Sequence, residues 1–97
     1  MNNEVANFCQ YLIDSEYYFQ IIADMMSLTS ITNSYTIAVP NNSRIVSVAC
    51  FKTLEGGVFD LKGYVHFNKN TPFPKIENWD DAVDELVTNY IDDIVNF

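Results

Sequence analysis

The spacing of the apolar residues predicts an α+β domain in which N-terminal helices and a C-terminal helix pack on a three-stranded antiparallel meander, in the order α-α-β-β-β-α. Three observations carry this expectation. Val5, Phe8, Cys9 and Leu12 recur at helical spacing, three runs rich in Val, Ile, Tyr, Phe and Thr follow between residues 34 and 67, and a second helical stripe runs from Trp79 to Ile94. With 97 residues, 48% hydrophobic and 14% aromatic, the chain supplies one core and one domain, residues 1–97.

The first helix follows from the i, i+3, i+4, i+7 spacing, with Asn3 as N-cap and Glu4 favourable at the positive end of the helix dipole. Continued at about 100° per residue it would carry Glu16 into the apolar stripe, so a break is expected at Asp14-Ser15. A second helix, capped by Ser15, then runs to about Met26. Strands are expected over 35–39, 45–53 and 58–67, joined through Pro40-Asn41-Asn42-Ser43 and through Gly56-Gly57 as hairpins. Alternation in the third sends Phe59, Leu61, Val65 and Phe67 to one face and Asp60, Lys62, Tyr64 and His66 to the other. Residues 68–78, with Pro72 and Pro74, read as an ordered surface loop. Asn78, with Asp81 three positions on, reads as the N-cap of a last helix whose inner stripe is Trp79, Val83, Leu86, Val87, Tyr90 and Ile94.

Charge is the most informative feature. Thirteen acidic and five basic side chains leave a formal charge of −8. That sign argues against direct binding to nucleic acid or to an anionic membrane, both of which need a cationic surface, and makes any charged partner basic. Residues 1–43 hold four acids and no Lys or Arg, residues 44–75 hold two acids and all five bases, and residues 76–97 hold seven acids and no base. Negative charge therefore belongs to the helices and positive charge to the sheet. With the apolar stripe of the last helix inward, Asp81, Glu85 and Asp92 lie opposite it, Asp80 and Asp84 to one flank, and Asp93 near the core boundary. The outer row spans roughly 16 Å, with carboxylates about 6 Å apart, close to the spacing of phosphates along a nucleic-acid strand.

Such a row is costly without a purpose. Like charges at i, i+3 and i, i+4 cost about 0.2–0.5 kcal/mol each, and Asp92 and Asp93 oppose the helix dipole at about 0.3–1 kcal/mol each. Solubility alone is better served by mixed signs. Two readings stay open: a face for a basic protein surface, or a solvated face without a partner. Tyr17 and Tyr18, beside Asp14 and Glu16, suit a protein contact, since a ring buries area while a carboxylate pairs with Arg. The apolar second face formed by Tyr17, Tyr18, Ile21 and Met25 on the second helix either turns inward or makes a partner or dimer contact.

Chemistry and cofactors are not expected. The acids lack the glycine-centred loop of a calcium site, and His66, the single histidine, has no second histidine or close cysteine for zinc. His66 reads as a strand histidine near Asp60 or Tyr64. Cys9 and Cys50 lie in apolar runs and are expected as reduced, buried thiols, and Gly56-Gly57 precedes a strand and not a helix, unlike a phosphate loop. The start, Met1-Asn2-Asn3-Glu4, has no basic region of a signal peptide, and no stretch reaches the length of a membrane span. The expectation is a cytoplasmic protein.

In size, acidity and the row Asp80-Asp81-Asp84-Glu85-Asp92-Asp93, the chain resembles small, acidic, phage-encoded inhibitors that imitate nucleic acid, anti-CRISPR proteins and inhibitors of DNA-repair enzymes among them. The resemblance implies an inhibitor, acting in the host cytoplasm, that fills a nucleic-acid groove on an enzyme or surveillance complex. Such proteins share no common fold, and the five bases of the sheet depart from the most acidic of them. The surface expected to bind comprises Asp80, Asp81, Asp84, Glu85, Asp92, Asp93, Glu77, Asp14, Glu16, Tyr17 and Tyr18. The alternatives are an immunity protein or antitoxin covering a basic nuclease, and a homodimeric interaction module.

Overall fold

The structure, a computed structural model, describes residues 2–71 and 74–95, and side chains over 3–71 and 74–92. Pro72 and the side chains of Asp93 and Ile94 lie outside these. The elements are α1 (Asn2–Asp14), β1 (Tyr18–Ala23), β2 (Met26–Ser27), β3 (Ile45–Thr53), β4 (Phe59–Asn68), β5 (Lys75–Glu77) and α2 (Asp81–Val95). The chain is α+β, with a five-stranded antiparallel sheet of order β2-β1-β3-β4-β5 in place of the three-stranded meander, and the elements run α-β-β-β-β-β-α.

α1 buries Val5, Phe8, Cys9 and Leu12 completely, as their spacing dictates. It begins at Asn2, so Asn3 lies in its first turn and does not cap it. At the other end the Tyr17 N–H donates to the Leu12 carbonyl (2.8 Å) and the Glu16 N–H to the Ile13 carbonyl (3.0 Å), the paired bonds of a Schellman cap, with Glu16 left-handed at φ 64°. The helix therefore stops at Asp14, as expected, but no second helix follows. Tyr17, Phe19, Ile21 and Ala23 are buried while Tyr18, Gln20 and Ile22 are half-exposed. That period of two, in β-branched and aromatic residues, is a strand pattern, and β1 pairs with β3 from Tyr18↔Phe51 to Ala23↔Val46. The expected helix over 15–26 fails because a strand here lays four alternate side chains on the core.

β1 also displaces the expected strand over 35–39. The two neighbours of β3 are β1 and β4, so β3, the partner expected for that segment, is taken on both sides. It stays irregular and covers the core with Tyr35, Ile37 and Val39. The turn at 41–42 accordingly leads into β3 without closing a hairpin. Gly56-Gly57 does join β3 to β4, where the Leu54 N–H donates to the Val58 carbonyl at 2.7 Å. The expected loop over 68–78 contains β5, whose Ile76 pairs with Val65.

A bulge in β4 changes which way its first half faces. Cys50 pairs with Gly63, but Phe51 pairs with Leu61, so Lys62 is an extra residue and the alternation shifts. Val65 and Phe67 point into the core as expected, whereas Phe59 and Leu61, each 39% exposed, point to the opposite face. Gly63 makes the bulge feasible. Its φ is 154°, and a Cβ there would meet the Asn78 carbonyl oxygen at 3.1 Å.

Both helices cover one face of the sheet, α1 over β1 and β3 and α2 over β4. The Phe8 ring packs 5.7 Å from Phe67 and 5.0 Å from Tyr90, and the Tyr90 hydroxyl donates to the Glu4 carbonyl (3.3 Å). Tyr90 of α2 thus lies by the first turn of α1, and Ala82 lies by Tyr17 beyond its last turn (3.5 Å), so the helices are antiparallel. The inner stripe of α2 is Val83, Leu86, Val87 and Tyr90; Trp79 precedes the helix and is 43% exposed. No helix among the described residues is long and apolar enough to cross a membrane.

Candidate functional site

The helix layer carries the acids. α1 and α2 together hold Glu4, Asp14, Asp81, Asp84, Glu85, Asp92 and Asp93 and no Lys or Arg. Because Val83, Leu86, Val87 and Tyr90 turn inward, helical geometry sends Asp81, Asp84, Glu85 and Asp92 outward, and all four are exposed. None forms an ion pair with the five Lys and Arg residues, all of which are described. Glu4 and Asp14 are exposed at the two ends of the neighbouring helix, where Asp14 accepts from the Gln10 side chain at 2.9 Å. The antiparallel arrangement sets Glu4 beside the later turns of α2 and Asp14 toward its start.

Asp80 has a different role. It caps α2 in place of Asn78, its Oδ1 accepting from the Ala82 N–H at 2.8 Å and its main-chain carbonyl from Val83 and Asp84. Its Oδ2 lies 3.3 Å from the Lys62 ammonium, which also holds Asp60 at 2.6 Å. The Ala82 N–H first, and the Lys62 pair with it, hold the Asp80 carboxyl below its ordinary 3.8, and the Asp60 and Asp80 carboxylates hold Lys62 above its ordinary 10.5. Asn78 is instead left-handed at φ 55°, turning the chain out of β5.

The two tyrosines expected as anchors separate. Tyr17 is 7% exposed, in the core, with the Lys52 ammonium 4.2 Å above its ring, and burial raises its hydroxyl above the ordinary 10.0. Tyr18 is on the opposite face of the sheet, its ring 5.2 Å from Phe59. The expected apolar face of Tyr17, Tyr18, Ile21 and Met25 is therefore not assembled: Tyr17 and Ile21 are buried, and Met25 sits on a turn. Glu16, Tyr17 and Tyr18 line a cleft of about 430 Å³ with Asn33 and Lys52, and the Lys52 ammonium donates to the Glu16 carbonyl at 3.3 Å.

Glu77 also leaves the helix surface. As part of β5 it accepts from His66 Nε2 at 2.6 Å, and His66 Nδ1 lies 2.6 Å from the Ser47 hydroxyl. The carboxylate only accepts, so Nε2 carries a proton and donates it to Glu77. His66 stacks on Tyr64 with ring centroids 6.0 Å apart; Asp60, the other neighbour expected for it, faces the helix side with Lys52 and Lys62. The Ser47–His66–Glu77 chain is hidden from sequence reasoning because it spans three strands, the third of which lies in a stretch with the composition of a loop.

Cys9 and Cys50 are free and buried, and burial pushes both thiols up to about 12, so neither is a thiolate at neutral pH. Among the described residues no three His, Cys, Asp or Glu side chains gather closely enough to hold a metal ion. Comparison with protein-family models, with curated proteins and with solved structures returns no match.

Proposed function

We propose that this chain is a binding protein that inhibits by occupancy: its helix layer lies against a basic, nucleic-acid-binding surface of a partner protein or complex and excludes nucleic acid from it. One observation carries the reading. Asp81, Asp84, Glu85 and Asp92 stay exposed and unpaired on one helix, while Lys62, the base nearest its start, is held by Asp60 and Asp80. Fixed carboxylates at helical spacing attract a cationic groove over distance and then pair with its Lys and Arg. Nothing in this mode requires a cofactor or a covalent step, and it suits a cytoplasmic protein, in the host cytoplasm if the chain is phage-encoded. Glu77, Tyr17 and Tyr18 take no part in the contact, Asp80 shapes it as a cap, and Asp14, Glu16 and Glu4 extend it.

The test joins capture to competition. The full chain captures its partner from a lysate of its native cell at low salt, and the purified partner is then titrated with DNA or RNA. Charge reversal of Asp81, Asp84 and Glu85 to Lys should weaken binding at least 100-fold with helicity retained, and nucleic acid should displace the wild-type chain. Retained affinity in the variant overturns the acidic face as the contact. Loss of affinity without displacement by nucleic acid overturns the groove and leaves an immunity protein or antitoxin that covers a basic nuclease elsewhere.

A further inference from the structure

The face of the sheet away from the helices carries no second layer among the described residues, and its character changes along the strands. One end is aromatic, where the Phe59 ring lies 5.2 Å from Tyr18 and 6.3 Å from Phe51. The other end is polar. There Ser47 of β3, His66 of β4 and Lys75 of β5 stand opposite one another in register, with Glu77 two positions along β5. Lys75 and Glu77 are the only formal charges among the outward strand positions, and they cancel.

We propose that Ser47, His66 and Glu77 form a hydrolytic site for small carboxylic esters, with Ser47 as the nucleophile. The Ser47 hydroxyl lies 2.6 Å from His66 Nδ1, and His66 Nε2 lies 2.6 Å from Glu77 Oε2, so nucleophile, base and orienting carboxylate are joined through one imidazole. Tyr64 stacks on His66 with the two rings 6° from parallel, which fixes the plane of the imidazole. The same three residues line a cavity of about 420 Å³ with Ile45, Asn68 and Lys75, a volume suited to a small ligand. Donors for a developing oxyanion share that cavity. Lys75 is exposed and forms no ion pair with a described acid. The Asn68 Oδ1 accepts from the Asn70 N–H at 2.9 Å, which leaves the amide N–H groups of Asn68 as the end that donates. Ile45, 44% exposed, offers an apolar surface to a short acyl chain.

In the first step the Ser47 Oγ bonds to the ester carbonyl carbon, and Nδ1 of the neutral His66 ring, whose Nε2 proton is held by Glu77, takes the hydroxyl proton. The carbonyl π pair moves onto oxygen, on the side of Lys75 and Asn68, and the imidazolium rests against the Glu77 carboxylate. Collapse breaks the ester C–O bond, and the departing alcohol takes the Nδ1 proton. Water then adds to the acyl-serine and gives its proton to Nδ1; the C–Oγ bond breaks, the proton returns to Ser47, and a carboxylic acid leaves. The balance closes with the ester and water alone. Glu77 touches the imidazole and not the ester, so it is a positioning residue. The site shares no residue with the exposed acids of α2, so either proposal can fail alone.

Treatment of the full chain with an alkyl fluorophosphonate, followed by tryptic digestion and mass spectrometry, tests the nucleophile. Cleavage after Arg44 and Lys52 gives peptide 45–52, in which Ser47 is the only hydroxyl residue. One adduct per chain is expected on Ser47, with fluoride as the leaving group. Ser47→Ala should abolish it, and His66→Gln should slow it at least ~100-fold. Both should lower kcat/KM for p-nitrophenyl acetate by at least ~100-fold while the circular dichroism spectrum stays that of the wild type. Glu77→Gln should lower kcat at least about tenfold and leave KM unchanged. Asp81→Lys with Asp84→Lys should react as the wild type does. Should His66→Gln fail to fold, Ser47→Ala, which removes only a half-buried hydroxyl, carries the test through ester hydrolysis. No adduct on Ser47, an adduct on His66 in its place, labelling undiminished in a folded His66→Gln, or hydrolysis undiminished in Ser47→Ala overturns the inference.

Discussion

The two broad faces of this protein are built on opposite principles from the same strands. On the covered face, Val46, Val48, Cys50, Val65 and Phe67 meet Phe8, Leu12, Val83 and Val87, and their burial supplies the core. Outside that core the helices expose carboxylates. On the open face the strands show aromatic rings and cancelling charge. The layer that contributes most to stability therefore also displays the charge, and the layer left bare contributes little to the isolated fold. On the helix side the buried stripe and the exposed carboxylates are divided by depth, and on the sheet side the exposed rings have no second layer beneath which to be buried.

The sharpest way to break this contrast is to remove one large residue from each face. Phe8 is fully buried and touches Phe67 and Tyr90. Phe8→Ala should cost about 3–5 kcal/mol, the transfer and cavity cost of a core aromatic. Phe59→Ala, on the open face, should cost the monomer less than about 1 kcal/mol. Urea unfolding at a concentration that keeps the chain monomeric measures both. Equal losses would mean that the open face is part of the core.

Gly63 decides which residues the open face receives. Gly63→Ala forces a side chain onto φ 154° and against the Asn78 carbonyl at 3.1 Å. The cost should be roughly 1–3 kcal/mol, and relief by closing the bulge would turn Phe59 and Leu61 toward the helices. A stability loss together with greater burial of Phe59, followed by solvent exchange or aromatic fluorescence quenching, is the expected outcome. Unchanged stability would show that the bulge is set elsewhere.

How far the sequence disclosed this arrangement differs by element. α1 and the inner stripe of α2 were legible because four-residue spacing of apolar side chains admits one helical face, and Gly56-Gly57 announced its hairpin. β1 was not, because Tyr17, Tyr18, Phe19, Ile21 and Ile22 form a nearly continuous apolar run, which is compatible with either period; only the pairing with β3 separates them. The swap of Phe59 and Leu61 was hidden in a single extra residue, whose one trace is Gly63 within a strand. The acids of α2 were legible as a row, since helix geometry alone sets them outward. What escaped was their inequality: Asp80 is spent on Lys62 and Ala82, partners fixed by the tertiary fold.

A smaller effect concerns the turn that carries β1 into β2. Asp24 and Met25 both have positive φ, 47° and 71°, as a two-residue hairpin turn of this hand requires, and Met25 is 96% exposed. Asp24 has compensation, accepting from the Arg44 and Ile45 N–H groups at 3.0 and 3.1 Å. For Met25, at φ 71°, the left-handed geometry costs about 1 kcal/mol that glycine avoids. Met25→Gly should therefore stabilise the fold by no more than about 0.5 kcal/mol once the added unfolded-state entropy is deducted. A destabilised variant would mean that the Met25 side chain makes a contact worth more than the strain.

The smallest expected effect separates the acid that serves the fold from the acids that face outward. Asp80 holds its proton less tightly than an ordinary aspartate because the charged form accepts from Ala82 and pairs with Lys62. A folded-state value below the unfolded 3.8 means that the charged carboxylate contributes stability above that pH and loses it as pH falls through the lower folded value. Asp80→Asn keeps an acceptor for the Ala82 N–H but abandons the charge. Its Tm should fall below wild type at neutral pH, and the two melting curves should converge as the pH drops below about 3.8. Asp84→Asn, which gives up a carboxylate that pairs with no base in this chain, should leave Tm unchanged at neutral pH. If the Asp84 variant also melts earlier by the same margin, the outer acids are serving the fold as Asp80 does, and the division between the two kinds of carboxylate disappears.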